Sequence, residues 1–276
     1  MTPTWTSAVV VLSVVGSLFR AAPGVGAGAS LLVRAQPASA PFQLPLPAPE
    51  ERLQGEATVV GNLTPSQCRA KLAQSAGHEA FASLGARNGI ALPMQVVGPV
   101  LGIDFKVPPK KSAYGNLDCR QALLWLHLAP VLLEHGVVGI AIDNFYRNRA
   151  RVKPGRKSQH AYGLAADVTA VIFGGEALPE ESKTGASLPS GAGRADVERD
   201  FLGKLGEPVC GPEARIVPAA DSDAEQIARA VRLRNLVCDL ARRGAFHHIL
   251  TPNYNLAHRN HLHLDIQRDN KWFSVQ

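Results

Sequence analysis

The sequence predicts an α+β protein built on an antiparallel β-sheet flanked by helices. Segments of helical and of strand character alternate irregularly along the chain. The last two apolar segments, FHHIL (246–250) and HLHLDI (261–266), are joined by the turn-forming TPNYN and read as a hairpin-like pair. A regular strand–helix succession, which would signal a doubly wound parallel sheet, is not what this pattern shows. The chain has 276 residues, 46% apolar and 19% charged, with Gly and Pro spread throughout. That is globular composition, sufficient for one large domain or two small ones.

Taken in order, Ala8 to Phe19 (AVVVLSVVGSLF) is an apolar run of 12 residues followed by Ala27-Gly28-Ala29. The run is too short to cross a bilayer, which takes roughly 20 residues. Its length and the A-x-A ending predict a secretory signal over residues 1–29. The protein is therefore expected to be exported to the periplasm, cell envelope or extracellular space, with no stable membrane span after cleavage. Residues 30–61 include QPASAPFQLPLPAPEE and read as an extended Pro/Ala-rich linker. The folded domain is placed at 62–276.

Thr64-Pro65-Ser66-Gln67 is a helix start, with Thr as cap, Pro in the first turn and Gln reaching back. This helix is expected to run to about Leu84. Leu101, Ile103, Phe105 and Val107 alternate with Gly102, Asp104 and Lys106, as strand residues do. Asp118 and Gln121 repeat the capping pattern before LLWLHLAPVLLEH, and Gly136 ends that helix. VVGIAIDNFY (137–146) reads as a buried strand, and SQHAYGLAADVTAVIF (158–173) as a turn followed by a strand. Residues 174–220, rich in Gly, Pro, Ser and Glu, read as a surface insertion. Ser222 with Glu225 begins the last helix, which Gly244 ends.

Formal net charge is +6. A basic balance suits an anionic partner such as nucleic acid, acidic lipid or a cell-wall polymer. No Lys/Arg run stands out and aromatics are only 6%, so nucleic acid is not expected. None of Cys68, Cys119, Cys210 and Cys238 forms a C-x-x-C pair, which argues against a thiolate zinc cage or a redox motif. In an oxidising compartment the even count predicts two disulfides. Of the three possible pairings, Cys68–Cys119 and Cys210–Cys238 join neighbouring predicted elements.

Two stretches carry chemistry. In HLHLDI, strand geometry sends Leu262, Leu264 and Ile266 into the core and leaves His261, His263 and Asp265 on the opposite face. Five of the nine histidines fall between positions 247 and 263, where even scatter would put fewer than one. In SQHAYGLAAD, His160 precedes Asp167 by seven residues. On a helix they would stand roughly 10 Å apart along the axis, too far to share one ion. A turn at Gly163 followed by a strand folds His160 back beside Asp167, and Ala165 leaves room on the same strand face. One histidine of the H-x-H strand completes a His, Asp, His set with an open position, the arrangement of a catalytic zinc site. The other histidine is then free to move protons. Asp265 reads equally as an orienting partner of a ligand or as a surface carboxylate.

S-x-H-x-x-G-x-A-x-D followed later by H-x-H resembles the zinc D-alanyl-D-alanine peptidases, which share a fold with lysostaphin-type enzymes and the hedgehog signalling domain. With the arginine of FYRN, the Cys-bearing helix and H-x-x-H-x-H-L-D, the pattern looks closest to the bacterial extensin-like C-terminal domain family, over about residues 62 to 270. The resemblance implies that His160, Asp167 and His263 bind Zn2+ and that His261 is the general base or the group that stabilises the activated water. It implies that Arg147 polarises the scissile carbonyl or stabilises the oxyanion, that Ser158 contacts substrate and that His258 lines the cleft. Several relatives have a glutamate where this chain has His258. The implied activity is an exported zinc-dependent amidase that cuts a peptide bond at a D-amino acid in peptidoglycan, as carboxypeptidase or endopeptidase. A non-catalytic wall-binding protein that keeps the fold is the alternative. Two histidines and a carboxylate also suit a non-haem iron site, although an oxidising compartment is poor for ferrous iron.

Overall fold

The computed structural model describes residues 40–174 and 191–276. Helices α1 (Pro49–Arg52), α2 (Glu56–Gly61) and α3 (Pro65–Gln74) lead into strands β1 (Phe81–Ser83), β2 (Pro93–Val96) and β3 (Asp104–Lys106). Strand β4 (Asn116–Asp118) passes directly into helix α4 (Cys119–Glu134). Then come β5 (Val137–Asn144), the short β6 (Arg151–Lys153) and β7 (Arg156–Lys157), and β8 (Ala165–Phe173). After β9 (Gly193–Asp196) and α5 (Val197–Asp200), the long α6 (Ala224–Arg242) precedes β10 (His248–Leu250), β11 (Leu262–Asp265) and β12 (Ser274–Val275).

The main sheet has the order β12-β10-β11-β8-β5-β3, and β9 also pairs with β8. Its centre is antiparallel: β10 with β11, β11 with β8, β8 with β5 and with β9. The outer pairs β3–β5 and β10–β12 are parallel. Strands β1, β2 and β4 form a smaller antiparallel sheet, and β6–β7 a separate hairpin. The fold is thus α+β, as the irregular alternation predicts.

Period-two geometry divides the main sheet into two faces. Trp125 and Leu132 of α4 and Leu236 and Leu240 of α6 enclose Ile249 and Leu262 on one face. Leu262 and Leu264 are 3% exposed and Ile266 is fully buried. Burying one such leucine contributes about 1.5–3 kcal/mol. The other face carries His263 and Asp265 on β11, with Asp167 and Ala165 opposite them on β8.

Both disulfides form as paired in the sequence reading. Cys68 of α3 joins Cys119 at the head of α4 with Cα atoms 6.1 Å apart, and Cys210 joins Cys238 of α6 at 5.5 Å. Among the described residues no helix is long and apolar enough to cross a membrane.

Four expectations are corrected. Residues 40–61 are not an extended spacer: Phe42, Ala57 and Val60 are buried, and the Phe42 N–H donates to Asn235 Oδ1 at 2.9 Å. Two of their four prolines open helical turns, Pro41 a short 3-10 turn and Pro49 the head of α1 with Glu50 and Glu51 behind it; that is a helix start rather than a linker signal. Helix α3 stops at Gln74, because Gly77 takes φ +79 and the chain turns into β1. The strand expected from Leu101 begins at Asp104, since Leu101 and Gly102 sit in a turn with φ +49 and +91. Within 174–220, β9 is part of the main sheet and Val197 and Phe201 are in the core, so this stretch is not simply a surface insertion. The signal at 1–29 and the linker residues 30–39 lie outside the described residues.

Candidate metal centre

The first half of the site is built by the turn between β7 and β8. Ser158 Oγ accepts the His160 N–H at 3.3 Å and starts a short 3-10 turn over Gln159–Tyr162. Gly163 ends it with φ +64, and a Cβ there would lie 2.9 Å from the Asp118 backbone nitrogen. Only glycine meets both requirements. The Arg147 N–H donates to the His160 carbonyl at 3.1 Å, pinning the turn. Strand β8 then starts at Ala165, and Asp167 lies opposite His263 in register. The spacing of seven in SQHAYGLAAD is the length of this turn plus its return.

His160 Nε2 is 3.0 Å from Asp167 Oδ1 and 3.1 Å from His263 Nδ1, and His263 Nδ1 is 3.0 Å from Asp167 Oδ1. All three residues are buried. Donors held at about 2.0–2.1 Å by one tetrahedral zinc stand about 3.3 Å from each other, so this triangle needs only a few tenths of an ångström of expansion.

The far side of each ligand fixes its chemistry. His160 Nδ1 faces the Phe145 carbonyl at 3.1 Å, and a carbonyl only accepts, so Nδ1 carries the hydrogen. His263 Nε2 faces Asp265 Oδ2 at 3.1 Å and is likewise the donor. With those outer hydrogens in place, His160 Nε2 and His263 Nδ1 are the ring atoms left to face the triangle, tautomers assigned from their partners. Asp167 Oδ2 accepts from Asn144 Nδ2 at 2.8 Å, which leaves Oδ1 for the centre. Three lone-pair atoms at hydrogen-bond distance repel one another unless a cation or a proton lies between them. A divalent ion bound by two imidazoles and a carboxylate fits, with the outer hydrogen bonds typical of metal-ligating histidines.

Electrostatics agree. Burial opposes ionisation of Asp167, yet hydrogen bonds from His160 and His263 outweigh it and hold the carboxyl well below its ordinary range. Burial also opposes charge on His263, but the flanking Asp167 and Asp265 raise its pKa to about 9. Without an ion the triangle accordingly holds a proton. Asp265 bridges His263 and His248, whose Nδ1 lies 2.7 Å from Oδ1; burial raises it, and the two imidazoles bring it down to about 2.

His261, His258 and Arg147 gather at the open side. His261 Nε2 is 3.6 Å from Asp167 Oδ1, while its Nδ1 donates to Asn260 Oδ1 at 2.9 Å. A lone pair therefore faces the site, and burial lowers the pKa of this ring, so it is neutral at pH 7. His258 packs with ring centroids 5.1 Å from His261 and 5.9 Å from His263, and burial takes its pKa down to about 4. One Arg147 guanidinium nitrogen is 3.6 Å from Asp167 Oδ2, on a half-exposed side chain. Ser158, buried, caps the turn and lines a cleft of ≈ 290 Å³ that reaches His263 and Asp265. All seven residues singled out from the sequence thus stand at or beside one site. Asn144, the Phe145 carbonyl and His248 were missed: nothing in their local sequence marks them, because their partners come from other strands.

A family model described as "Extensin-like protein C-terminus" matches residues 214–275. The match takes in α6, β10 and β11, and with them His258, His261 and His263. No curated protein and no solved structure matches the chain.

Proposed function

We propose that this is an exported zinc-dependent amidase of the D-alanyl-D-alanine peptidase and hedgehog-fold group, cutting a peptide bond at a D-amino acid in peptidoglycan stem peptides. The observation that carries the reading is the triangle of His160 Nε2, Asp167 Oδ1 and His263 Nδ1, locked from behind and open on one side. Zn2+, when bound, would supply Lewis acidity and lower the pKa of an attacking water toward about 7. The chain's own groups do the rest. His261 Nε2, neutral and facing the open side, takes the proton of the attacking water and returns it to the leaving amine. The Arg147 guanidinium, beside the open position, steadies the carbonyl oxygen as negative charge grows on it. His258, packed against His261 at the open side, carries no charge at neutral pH.

The test combines metal analysis with digestion of purified peptidoglycan, products being identified by mass. The reading expects one zinc per chain and release of peptide fragments or D-alanine, both lost on chelation, and turnover lost with metal retained in His261→Ala. Metal uptake with no product from any peptidoglycan would contradict the enzyme reading and leave a non-catalytic wall-binding protein.

A further inference from the structure

Between Arg147 and Lys157 the chain carries six cations, Arg147, Arg149, Arg151, Lys153, Arg156 and Lys157, and no acid. Removing these six from the 29 Lys and Arg of the chain leaves 23, equal to its 23 Asp and Glu. The segment 147–157 thus matches the whole net charge of the protein, and four of its six cations lie on the β6–β7 hairpin. Residues 151 to 157 are all exposed. Among the described residues, Arg147 pairs with Asp167 and Lys157 lies over the Tyr162 ring, while Arg149, Arg151, Lys153 and Arg156 form no ion pair.

The pairing of the strands makes this costly. Arg151 stands opposite Lys157 and Lys153 opposite Arg156, and like charges directly opposite destabilise a hairpin. Folding alone does not reward such an arrangement. Arg156 and Lys157 also line the cleft that meets His263 on the side where Asp265 and His248 hold it. An anion held by these two cations would lie in the same cleft as a metal ligand. No aromatic residue interrupts the run, so the hairpin offers nothing for bases to stack on, which disfavours nucleic acid.

We propose that the β6–β7 hairpin is the substrate-selecting surface of the protein, drawing in and orienting chains that bear free carboxylates next to the bond presented to the metal centre. The proposal rests on the amidase reading above, and the run of cations begins at the open side of the metal centre, where an Arg147 guanidinium nitrogen stands 3.6 Å from Asp167 Oδ2. It assigns the β6–β7 cations to recognition and leaves the chemistry to the histidine triangle. Exposed cations of one sign attract an anionic polymer over several ångströms, and salt screens that attraction.

The experiment uses the full zinc-loaded chain and insoluble peptidoglycan sacculi, either native or with their carboxylates amidated, in a sedimentation assay. Wild type should bind native sacculi at 20 mM NaCl and lose at least roughly tenfold in affinity at 300 mM. The variant Arg151→Ser/Lys153→Ser/Arg156→Ser/Lys157→Ser should bind at least tenfold more weakly, with unchanged metal content. Its melting temperature should be equal or higher, since like-charge pairs are removed; a merely structural hairpin would lose stability instead. Amidated sacculi should bind wild type as weakly as native sacculi bind the variant. Soluble polyglutamate should compete at least as well as polyphosphate of equal charge. If the fourfold variant fails to fold, Arg156→Ser and Lys157→Ser singly should each weaken binding about two- to fivefold. Equal binding by wild type and variant, undiminished binding to amidated sacculi, or clear preference for polyphosphate would each overturn the proposal. The His261→Ala protein should bind like wild type. Carboxylate-dependent binding without any turnover would therefore defeat the amidase reading while leaving the recognition surface standing.

Discussion

Leu264 and His263 are neighbours on β11, yet they answer to different neighbours. Leu264 is 3% exposed on the face covered by α4 and α6, where the surroundings are apolar and only volume matters. His263, 8% exposed, meets Asp167 on one nitrogen and Asp265 on the other. One face tolerates replacement by anything of similar shape; the other requires particular atoms at particular positions. A protein that needed only stability would cover both faces. The open face here concentrates buried polar groups, each of which costs free energy unless paired, and their pairing converges on a single triangle.

The comparison can be broken most forcibly on the covered face. Leu264→Ala should destabilise the fold by about 2–5 kcal/mol through lost burial and the cavity left behind, measured by denaturant unfolding. Metal stoichiometry of the folded fraction should be unchanged. A loss of metal without loss of stability would show that the two faces are not independent.

The open face should respond to pH instead. The pKa of His263 without metal is raised above its ordinary value to about 9, so metal must displace its proton. Metal affinity should therefore climb tenfold per pH unit from 7 to about 9, roughly a hundredfold in all, and level off above that. The metal-free protein should behave in the opposite sense. The stability that this proton confers is fully present below about pH 6.5 and is lost as pH rises through about 9. Isothermal titration with a metal buffer checks the first trend, thermal melting of the metal-free protein the second. A flat affinity between pH 7 and 9 would contradict the proton in the triangle.

A gentler change sharpens the picture. Asp265→Asn keeps shape but weakens the hydrogen bond that orients His263, and second partners of this kind are worth about 10–100-fold in metal affinity. A competition titration should place the variant in that range with its melting temperature lowered only modestly. Unchanged affinity would reduce Asp265 to a packing residue.

The half of this architecture that follows from local pattern was legible in the sequence. Alternation of Leu262, His263, Leu264 and Asp265 specifies both faces of β11, and a glycine three residues after His160 announces the turn that returns it to Asp167. What escaped depends on pairing between distant segments. Asn144 ends a strand with no local mark of function, and it matters only because β5 lies beside β8. Gly193–Asp196 lacks apolar alternation, being held to β8 by backbone pairing around the single buried Ala195. The prolines at 41 and 49 looked like linker residues because nothing nearby reveals that they open packed turns. The cations of 147–157 are separated by Asn148, Ala150, Val152 and Pro154-Gly155, so no run is conspicuous until the hairpin brings them across from each other.

The most direct measurement is equilibrium dialysis of chelator-stripped protein against Zn2+ at pH 8, with metal counted per folded chain. The account predicts one tightly held ion in the wild type and background levels in His160→Ala, Asp167→Ala and His263→Ala, each still folded by circular dichroism. A wild type that takes up no ion, or single variants that keep a full equivalent, would contradict it.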